Sequence, residues 1–250
     1  MNLHNNKVNF GKPALELQTT TLWEYPSQHY GTSVQGDQNY KGATPSFVIW
    51  NLLRRYTREN DTVVDPMCGS GTTLDVCKDL KRKGRGFDLA PYRNDIVKAD
   101  ARSLPLEDES SDFVFIDPPY STHLTYSGKE ECIGTLDARS DAYYEAMTEV
   151  IAEIYRVLRD KRYCALYVSD SFKKGKPFVP LGFELFNILG HFFRPVDIVC
   201  VVRHNQTLKR RNWHNSAVEG NYFLRGFNYL FIMKKDVETI RPPKHFLKRK

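Results

Sequence analysis

Short apolar runs typical of strands alternate with amphipathic runs typical of helices along most of this 250-residue chain. Strand patterns occupy residues 62–65, 86–88, 95–98, 113–117, 163–168, 196–202 and 229–233, and helix patterns occupy residues 47–55, 72–83, 147–158 and 181–189. Such alternation builds a mostly parallel sheet with helices on both faces. A hairpin-like link between the last two strands favours an antiparallel edge. The sequence therefore predicts an α/β fold with a mostly parallel seven-stranded sheet.

The alternating pattern also suggests how the chain is divided. Residues 1–40 are rich in Asn, Gln, Thr, Tyr and Gly without a clear period, and they predict an irregular N-terminal arm. Residues 41–235 hold the alternating elements and predict one domain, with no separate recognition domain evident. Residues 236–250 predict a basic tail.

Composition limits the cellular setting and the partners. The five cysteines are widely spaced and form no C-x-x-C pair, which argues against a disulfide framework or a metal site. No apolar signal core or bilayer-length apolar run is present, so we expect a cytoplasmic protein without a membrane partner. The formal charge of +6 suits a polyanionic partner, although many basic proteins bind none.

A glycine turn at residues 65–73 follows the first predicted strand of this domain and opens a helix. Gly69 and Gly71 let the backbone turn tightly and approach a ligand closely. A P-loop needs a lysine after the last glycine, and a dinucleotide fingerprint needs a third glycine where Leu74 stands. S-adenosylmethionine carries no phosphate and requires neither feature, so it is the cofactor that this turn favours.

Two motifs carry a resemblance to a known family. Residues 65–73 resemble the D-P-F-x-G-S-G-T-T motif of amino-group DNA methyltransferases, with Met67 in place of the Phe. Residues 117–120 read D-P-P-Y after a buried strand and resemble the catalytic motif of adenine-N6 and cytosine-N4 methyltransferases. The resemblance implies a Rossmann-like class I fold, S-adenosylmethionine as cofactor, and methylation of an exocyclic amino group of a base, with DNA as the favoured substrate.

The resemblance also assigns cofactor contacts. It places Asp88 on the ribose hydroxyls, Asp100 on the adenine amine, and the helix after Thr44 over the methionine part. Surface solvation is the competing interpretation of Asp88 and Asp100 taken singly. The expected cofactor-binding residues are Thr44, Pro45, Asp65, Pro66, Met67, Cys68, Gly69, Ser70, Gly71, Thr72, Asp88, Asp100 and Ala101.

The D-P-P-Y motif explains how such a reaction would proceed. An exocyclic amine is a weak nucleophile because its lone pair is delocalised into the ring. The Asp117 carboxylate and the Pro118 carbonyl can accept its two N–H groups, and Tyr120 can stack on the base. Pro118 and Pro119 fix the backbone and provide no N–H donors that would repel the amine. The expected catalytic residues are Asp117, Pro118, Pro119 and Tyr120.

Two loops are candidates for contact with nucleic acid, and a solvated hairpin explains the second of them equally well. The first covers residues 121–140, and the second mixes cations, amides and an aromatic over residues 203–214. The expected contact residues are His123, Tyr126, Lys129, Arg203, Asn205, Lys209, Arg210, Arg211 and Trp213.

Several substrates stay open. Asp rather than Ser at the start of D-P-P-Y favours adenine as the methylated base, whereas Asn at that position would suggest a protein glutamine amide as the substrate. Without a separate recognition domain, structured RNA is the main alternative to DNA, because unpaired loops present bases without opening a duplex. A non-catalytic nucleic-acid binder on the same fold is less favoured, since both motifs are intact.

Overall fold

The computed structural model describes residues 15–25, 27–37, 39–40, 42–120, 131–172, 176–204 and 206–243. The strands are β1 (Leu22–Trp23), β2 (Thr62–Asp65), β3 (Lys83–Asp88), β4 (Ile96–Lys98), β5 (Ser111–Ile116), β6 (Leu158–Val168), β7 (Arg194–Val202) and β8 (Phe227–Lys234). The helices are α1 (Ser46–Tyr56), α2 (Thr72–Asp79), α3 (Asp141–Val157), α4 (Leu181–Gly190), α5 (Gln206–Lys209) and α6 (Arg211–Glu219). None of these helices, within the described residues, is long and apolar enough to cross a membrane.

The described strands form a single sheet in the order β1-β7-β8-β6-β5-β2-β3-β4. All neighbours pair in parallel except β8, which runs antiparallel to both β6 and β7. The predicted α/β class and its antiparallel component are therefore confirmed. The sheet has eight strands instead of the predicted seven, because Leu22 and Trp23 pair with Cys200 and Val201 of β7.

Strand β5 lies inside the sheet, and every one of its residues is buried. Successive side chains of a strand point to opposite faces. Phe113 and Phe115 accordingly join the core beneath α1, whereas Val114 and Ile116 join the core beneath α3 and α4. A strand that is apolar on both faces needs helices on both, which explains why the continuous apolar run predicted a buried parallel strand.

Part of the predicted arm belongs to the core. Trp23, Tyr25 and Tyr30 are buried with Phe47 of α1, and Tyr25 stacks on Phe47 with ring centroids 5.0 Å apart. The described part of this segment is irregular apart from the two residues of β1. It packs on the domain because aromatic side chains bury large apolar areas wherever a surface accepts them.

Several boundaries differ from the sequence prediction. Helix α2 ends at Asp79, four residues before the predicted end at Lys83, because Lys81 turns into the left-handed region (φ 59°) and β3 begins at Lys83. Strand β6 begins at Leu158, directly after α3. The segment predicted as a loop after Val202 contains α5 and α6.

Candidate active site

A cavity of about 860 Å³ opens beyond the carboxyl ends of the parallel strands, where open α/β sheets bind ligands. Every expected cofactor residue except Gly71 lines it, and so do all the residues of D-P-P-Y. The two motifs, distant in sequence, therefore meet in one cavity. Several other lining residues carried no signal in the sequence, namely Tyr25, Tyr40, Tyr167, Arg225 and Asn228.

The glycine turn is held by the carboxylate of Asp65 at the end of β2. One oxygen accepts the Met67 N–H at 3.1 Å, and the other accepts the Thr73 hydroxyl at 2.5 Å, so both ends of the turn are tied to one side chain. The carboxyl is buried, and burial raises its pKa to about 7 despite these hydrogen bonds.

Two glycines in this turn adopt left-handed backbone angles, with φ of 49° at Gly69 and 81° at Gly71. A Cβ at Gly71 would lie 2.7 Å from the Arg93 guanidinium, and one at Gly69 would lie 3.0 Å from the Tyr40 hydroxyl. The turn thus needs glycine both for its backbone and for its close neighbours.

Asp88 ends β3 and Asp100 follows β4, and both line the cavity. Asp88 accepts the N–H groups of Gly69 at 3.0 Å and Ala90 at 2.9 Å, which joins the glycine turn to β3. Asp100 forms a bidentate pair with Arg102, whose Nε donates to Oδ1 and whose Nη2 donates to Oδ2. Partial burial opposes ionisation of Asp100, but the hydrogen bonds from Arg102 prevail and lower its pKa.

These residues fit S-adenosylmethionine. The glycine turn brings its backbone to the wall of the cavity, and Asp88 and Asp100 offer acceptors for hydroxyl or amine groups. The sulfonium is positively charged, so carboxylates around the cavity suit this cofactor. A phosphate-bearing cofactor would instead need free cations or free N–H groups at the turn. The Gly69 N–H already donates to Asp88, and the nearby Arg93 guanidinium is paired with Asp75 and Asp95.

Asp117 lies at the tip of β5, partly exposed to the cavity. Its Oδ2 accepts the hydroxyl of Thr44, just before α1, at 2.5 Å. Burial raises the pKa of Asp117 to about 7, and the charge of Asp65 adds to the increase, while Thr44 and Arg203 oppose it. Asp117 is therefore an acceptor whose charge changes near neutral pH.

Sheet order divides the cavity into two halves. We define the β2–β4 half by the glycine turn, Asp88 and Asp100, and the β6–β8 half by Tyr167, Arg203 and Asn228. Strand β5 lies between β2 and β6, which places Asp117 between the halves. The Arg203 guanidinium donates to the Ser169 hydroxyl at 3.2 Å, which holds this cation in the β6–β8 half.

The expected nucleic-acid contacts are only partly gathered at the cavity. Arg203 and Lys209 line it, whereas Arg210, Arg211 and Trp213 lie outside it, exposed around α5 and α6. The remaining expected contacts lie outside the described residues, and they are His123, Tyr126, Lys129 and Asn205. Among the described residues, no group of three or more His, Cys, Asp and Glu side chains could hold a metal ion.

The chain resembles methyltransferases in its sequence and in its fold. Residues 4–99 match the model of a family described as DNA methylase, a range that includes the glycine turn and ends before Asp117. The type II methyltransferase M.MjaII of Methanocaldococcus jannaschii is 25% identical over an alignment of 171 residues, which covers 58% of this chain and 32% of the relative. The type II methyltransferase M.HpaI of Haemophilus parainfluenzae is 31% identical over 70 residues, or 28% of this chain and 22% of the relative. The chain thus spans a third or less of the length of both relatives.

Solved structures agree on the fold. A geranyl diphosphate methyltransferase in complex with SAM superimposes with a TM-score of 0.50 at 13% identity, over 80% of this chain and 93% of that one. The [4+2]-cyclase SpnF gives a TM-score of 0.51 at 14% identity, over 82% of this chain and 88% of that one. Because a cyclase shares the architecture, fold likeness alone assigns no reaction.

The fold class is therefore the Rossmann-like fold of S-adenosylmethionine-dependent methyltransferases, as predicted. Within that class, residues 4–99, less than half of the chain, are similar to the family described as DNA methylase. The resemblance to amino-group DNA methyltransferases and the prediction of S-adenosylmethionine as cofactor are confirmed by these matches.

Proposed function

We propose that the protein transfers a methyl group from S-adenosylmethionine to an exocyclic amino group of a base in DNA. The observation that carries the proposal is the position of Asp117 between the two halves of one cavity. The β2–β4 half fits the cofactor, and the β6–β8 half leaves room for a base. The amine would have to be held at the junction of the two halves, and Asp117 provides an acceptor there.

In this proposal the chain binds and orients the amine. The Asp117 carboxylate accepts one amine N–H and the Pro118 carbonyl accepts the other, so the nitrogen lone pair is drawn out of the ring. S-adenosylmethionine, when bound, supplies an electrophilic methyl group on a sulfonium. The methylated amine must lose one proton, and a carboxylate with a pKa of about 7 is able to accept it.

The cofactor is held, in the same proposal, by the expected cofactor-binding residues that line the cavity, while Gly71 shapes the turn without lining it. Asp65 maintains the turn from within, because its oxygens bind Met67 and Thr73. Asp88 and Asp100 present acceptors to the cavity. Thr44 and Pro45 lie near D-P-P-Y, so the start of α1 would contact both substrates.

Support for DNA comes from the DNA methylase match and from the charge around the cavity. Arg203 and Lys209 line it, and Arg210, Arg211 and Trp213 continue this basic surface outward. Cations that neutralise phosphates release counterions and so drive binding. A base inside a duplex cannot reach a cavity at strand tips, so the target must be flipped out or unpaired, and Tyr120 would stack on it. We assign this activity to the domain over residues 41–235, completed by the packed segment before it.

The test is to incubate the protein with labelled S-adenosylmethionine and, in parallel, duplex DNA, single-stranded DNA and structured RNA. Mass spectrometry of the nucleosides should show N6-methyladenine or N4-methylcytosine in DNA. Label in RNA alone would move the substrate to RNA, and no label in either would refute the proposal.

Asp117→Ala separates chemistry from binding. Methyl transfer should be abolished, while the affinity for S-adenosylmethionine in calorimetry should stay nearly unchanged. Asp141→Ala, at an exposed position in the first turn of α3, is the matched control and should behave as wild type. Full activity of Asp117→Ala would rule out this mechanism.

A further inference from the structure

Tyr167 lies near the end of β6 with only 5% of its surface exposed, and it lines the cavity. Its hydroxyl has no hydrogen-bond partner in the described part of the chain. The hydroxyl is not enclosed by protein, unlike Oδ1 of Asn228, which is both unpaired and enclosed. Polar atoms of buried side chains nearly always have a partner. An unpaired hydroxyl that is open to a binding cavity therefore points to a ligand.

Two other hydroxyls at the cavity show the ordinary arrangement. The Thr44 hydroxyl donates to Asp117 at 2.5 Å, and the Tyr25 hydroxyl accepts the Asn51 amide at 3.4 Å. Both of these side chains are held by the protein itself. The Tyr167 hydroxyl makes no such bond and is left for a bound molecule.

The pairing of β5 with β6 places Tyr167 beside Asp117. Ile116 pairs with Leu166, so the next position along these parallel strands sets Asp117 next to Tyr167. Tyr167 belongs to the α1-side core, and Asp117 is bonded to Thr44 at the start of α1, so both side chains are on the same face of the sheet. Neighbouring strands are about 4.8 Å apart. One small ring can therefore contact both side chains.

The groups around the Tyr167 hydroxyl make it a donor. Burial raises its pKa most, the charge of Asp117 and the hydroxyl of Tyr120 raise it further, and Arg203 opposes the increase. A phenol that keeps its proton at neutral pH can donate a hydrogen bond. Asp117, Tyr120 and Arg203 all line the cavity, so the hydroxyl lies among the groups that would surround the base.

We propose that the Tyr167 hydroxyl donates a hydrogen bond to the ring nitrogen beside the target amine and so acts as a base-recognition residue of the methyltransferase. This inference rests on the proposed function. In adenine and in cytosine, the carbon that bears the amine is bonded to a ring nitrogen that carries no hydrogen and accepts a hydrogen bond. Asp117 and Pro118 accept the amine N–H groups, so the next group along this edge of the base requires a donor. In guanine and thymine the ring nitrogen on this edge carries a hydrogen and offers no such acceptor.

The first test is Tyr167→Phe, which removes the hydroxyl and keeps the ring. We expect kcat/KM for whichever nucleic acid the wild type methylates to fall about tenfold, because one hydrogen bond to the base is lost. Calorimetric affinity for S-adenosylmethionine should not change. The acid limb of the pH–rate profile should also stay in place, since it reports Asp117. A shifted acid limb would mean that the hydroxyl acts on Asp117 and would overturn the contact with the base.

The second test changes the base. The wild type and Tyr167→Phe are compared on a substrate whose target base has C–H in place of that ring nitrogen, either 1-deazaadenine or 3-deazacytosine. Any effect of the analogue on the amine itself is common to both enzymes. If the hydroxyl and the nitrogen are bonded, the Tyr167→Phe variant should lose about tenfold less on the analogue than the wild type loses. Equal losses in the two enzymes would overturn the proposal.

The matched control is Tyr163→Phe, on the same strand and the same face but outside the cavity. Its kcat/KM per folded molecule should equal the wild-type value on both substrates. If Tyr167→Phe kept wild-type kcat/KM, the recognition role would be overturned while the methyltransferase assignment stood. Absence of any methyl transfer by the wild type would instead refute the proposed function, and the recognition role with it.

Discussion

The hydroxyl of Thr44 donates a 2.5 Å hydrogen bond to Oδ2 of Asp117 and so joins the start of α1 to the tip of β5. Thr44 is buried at 6% exposure, which shields this bond from water. Hydrogen bonding to a carboxylate favours its charged form, whereas burial disfavours it. Thr44 therefore helps to set the pH range in which Asp117 is an acceptor.

Thr44→Val should move the acid limb of the pH–rate profile to higher pH. The wild-type carboxyl has a pKa of about 7, so activity should fall as the pH drops through that value and the carboxylate gains a proton. Without the hydrogen bond from the hydroxyl, the charged form of Asp117 is less stable, so the pKa of Asp117 rises further. We expect about a tenfold loss of kcat near neutral pH and a smaller loss in alkaline buffer. Thr44→Ser keeps the hydroxyl and should retain the wild-type profile; an unshifted profile in the valine variant would contradict the idea.

Asp65→Asn should change how stability depends on pH. The folded pKa of Asp65 is about 7, above the ordinary 3.8, so between these values the folded state holds a proton that the unfolded state has released. Wild-type stability should therefore fall as the pH rises through this window. The asparagine removes that titration, and we expect a flatter curve, with a relative gain on the order of 2 kcal/mol above neutral pH.

Melting temperatures across this pH range, measured without cofactor, test the prediction. Asp112→Asn is a control of opposite sign, because ion pairing with Arg159 at 2.6 Å overcomes the effect of burial and lowers the Asp112 pKa. That variant should lose stability at neutral pH and less in acid. An equal pH slope in wild type and Asp65→Asn would show that Asp65 does not titrate as stated.

Gly36→Ala should disturb the glycine turn from outside. Gly36 has φ of 76°, and a Cβ there would lie 2.4 Å from the Thr72 hydroxyl and 2.6 Å from the Ser70 hydroxyl. Its N–H also donates to Asp75 of α2 at 2.7 Å. We expect about 3 kcal/mol lower stability in urea unfolding, from backbone strain and overlap together, and weaker binding of S-adenosylmethionine.

The matched control is Gly31→Ala, where φ is 60° and the added Cβ meets open space. This variant introduces only the backbone strain. It should lower the free energy of unfolding by about 1 kcal/mol without affecting the binding of S-adenosylmethionine. If the two variants lost equal stability and equal affinity for S-adenosylmethionine, the contact with Ser70 and Thr72 would have no effect on either property.

Local patterns in the sequence predicted those parts of the fold and site that local interactions determine. Strand β2 was predicted within its observed bounds, since β-branched residues and a following glycine turn define it. Both motifs were found because each is contiguous and its residue types follow from its chemistry. A structural or chemical feature that depends on one continuous segment can be predicted from the sequence of that segment.

Long-range packing determined the other features of the fold and the site, and the sequence pattern carried no signal for that packing. The aromatic residues Trp23 and Tyr25 join the core only because β7 and α1 provide surfaces for them. Tyr167 and Asn228 reach the cavity because β8 inserts between β6 and β7, an order that no local run encodes. The basic segment after Val202 was interpreted as a loop from its polarity, yet α6 buries Ala217 and forms a helix.

Replacing Lys209, Arg210 and Arg211 by alanine should weaken DNA binding without affecting the cofactor. Lys209 lines the cavity, and all of these side chains are exposed without an ion pair in the described part of the chain. Each cation that reaches a phosphate contributes about 0.9 to the slope of log affinity against log salt. Fluorescence anisotropy with labelled duplex, across a salt series, should show lower affinity and a slope reduced by up to about 2.7.

The matched control replaces the exposed cations Arg54, Lys83 and Lys98, which do not line the cavity. It removes the same formal charge and should leave the salt slope nearly unchanged, because net charge acts weakly at a distance once salt screens it. If both triple variants lowered the slope equally, binding would depend on overall charge, and the surface around α5 and α6 would not be the site of DNA contact.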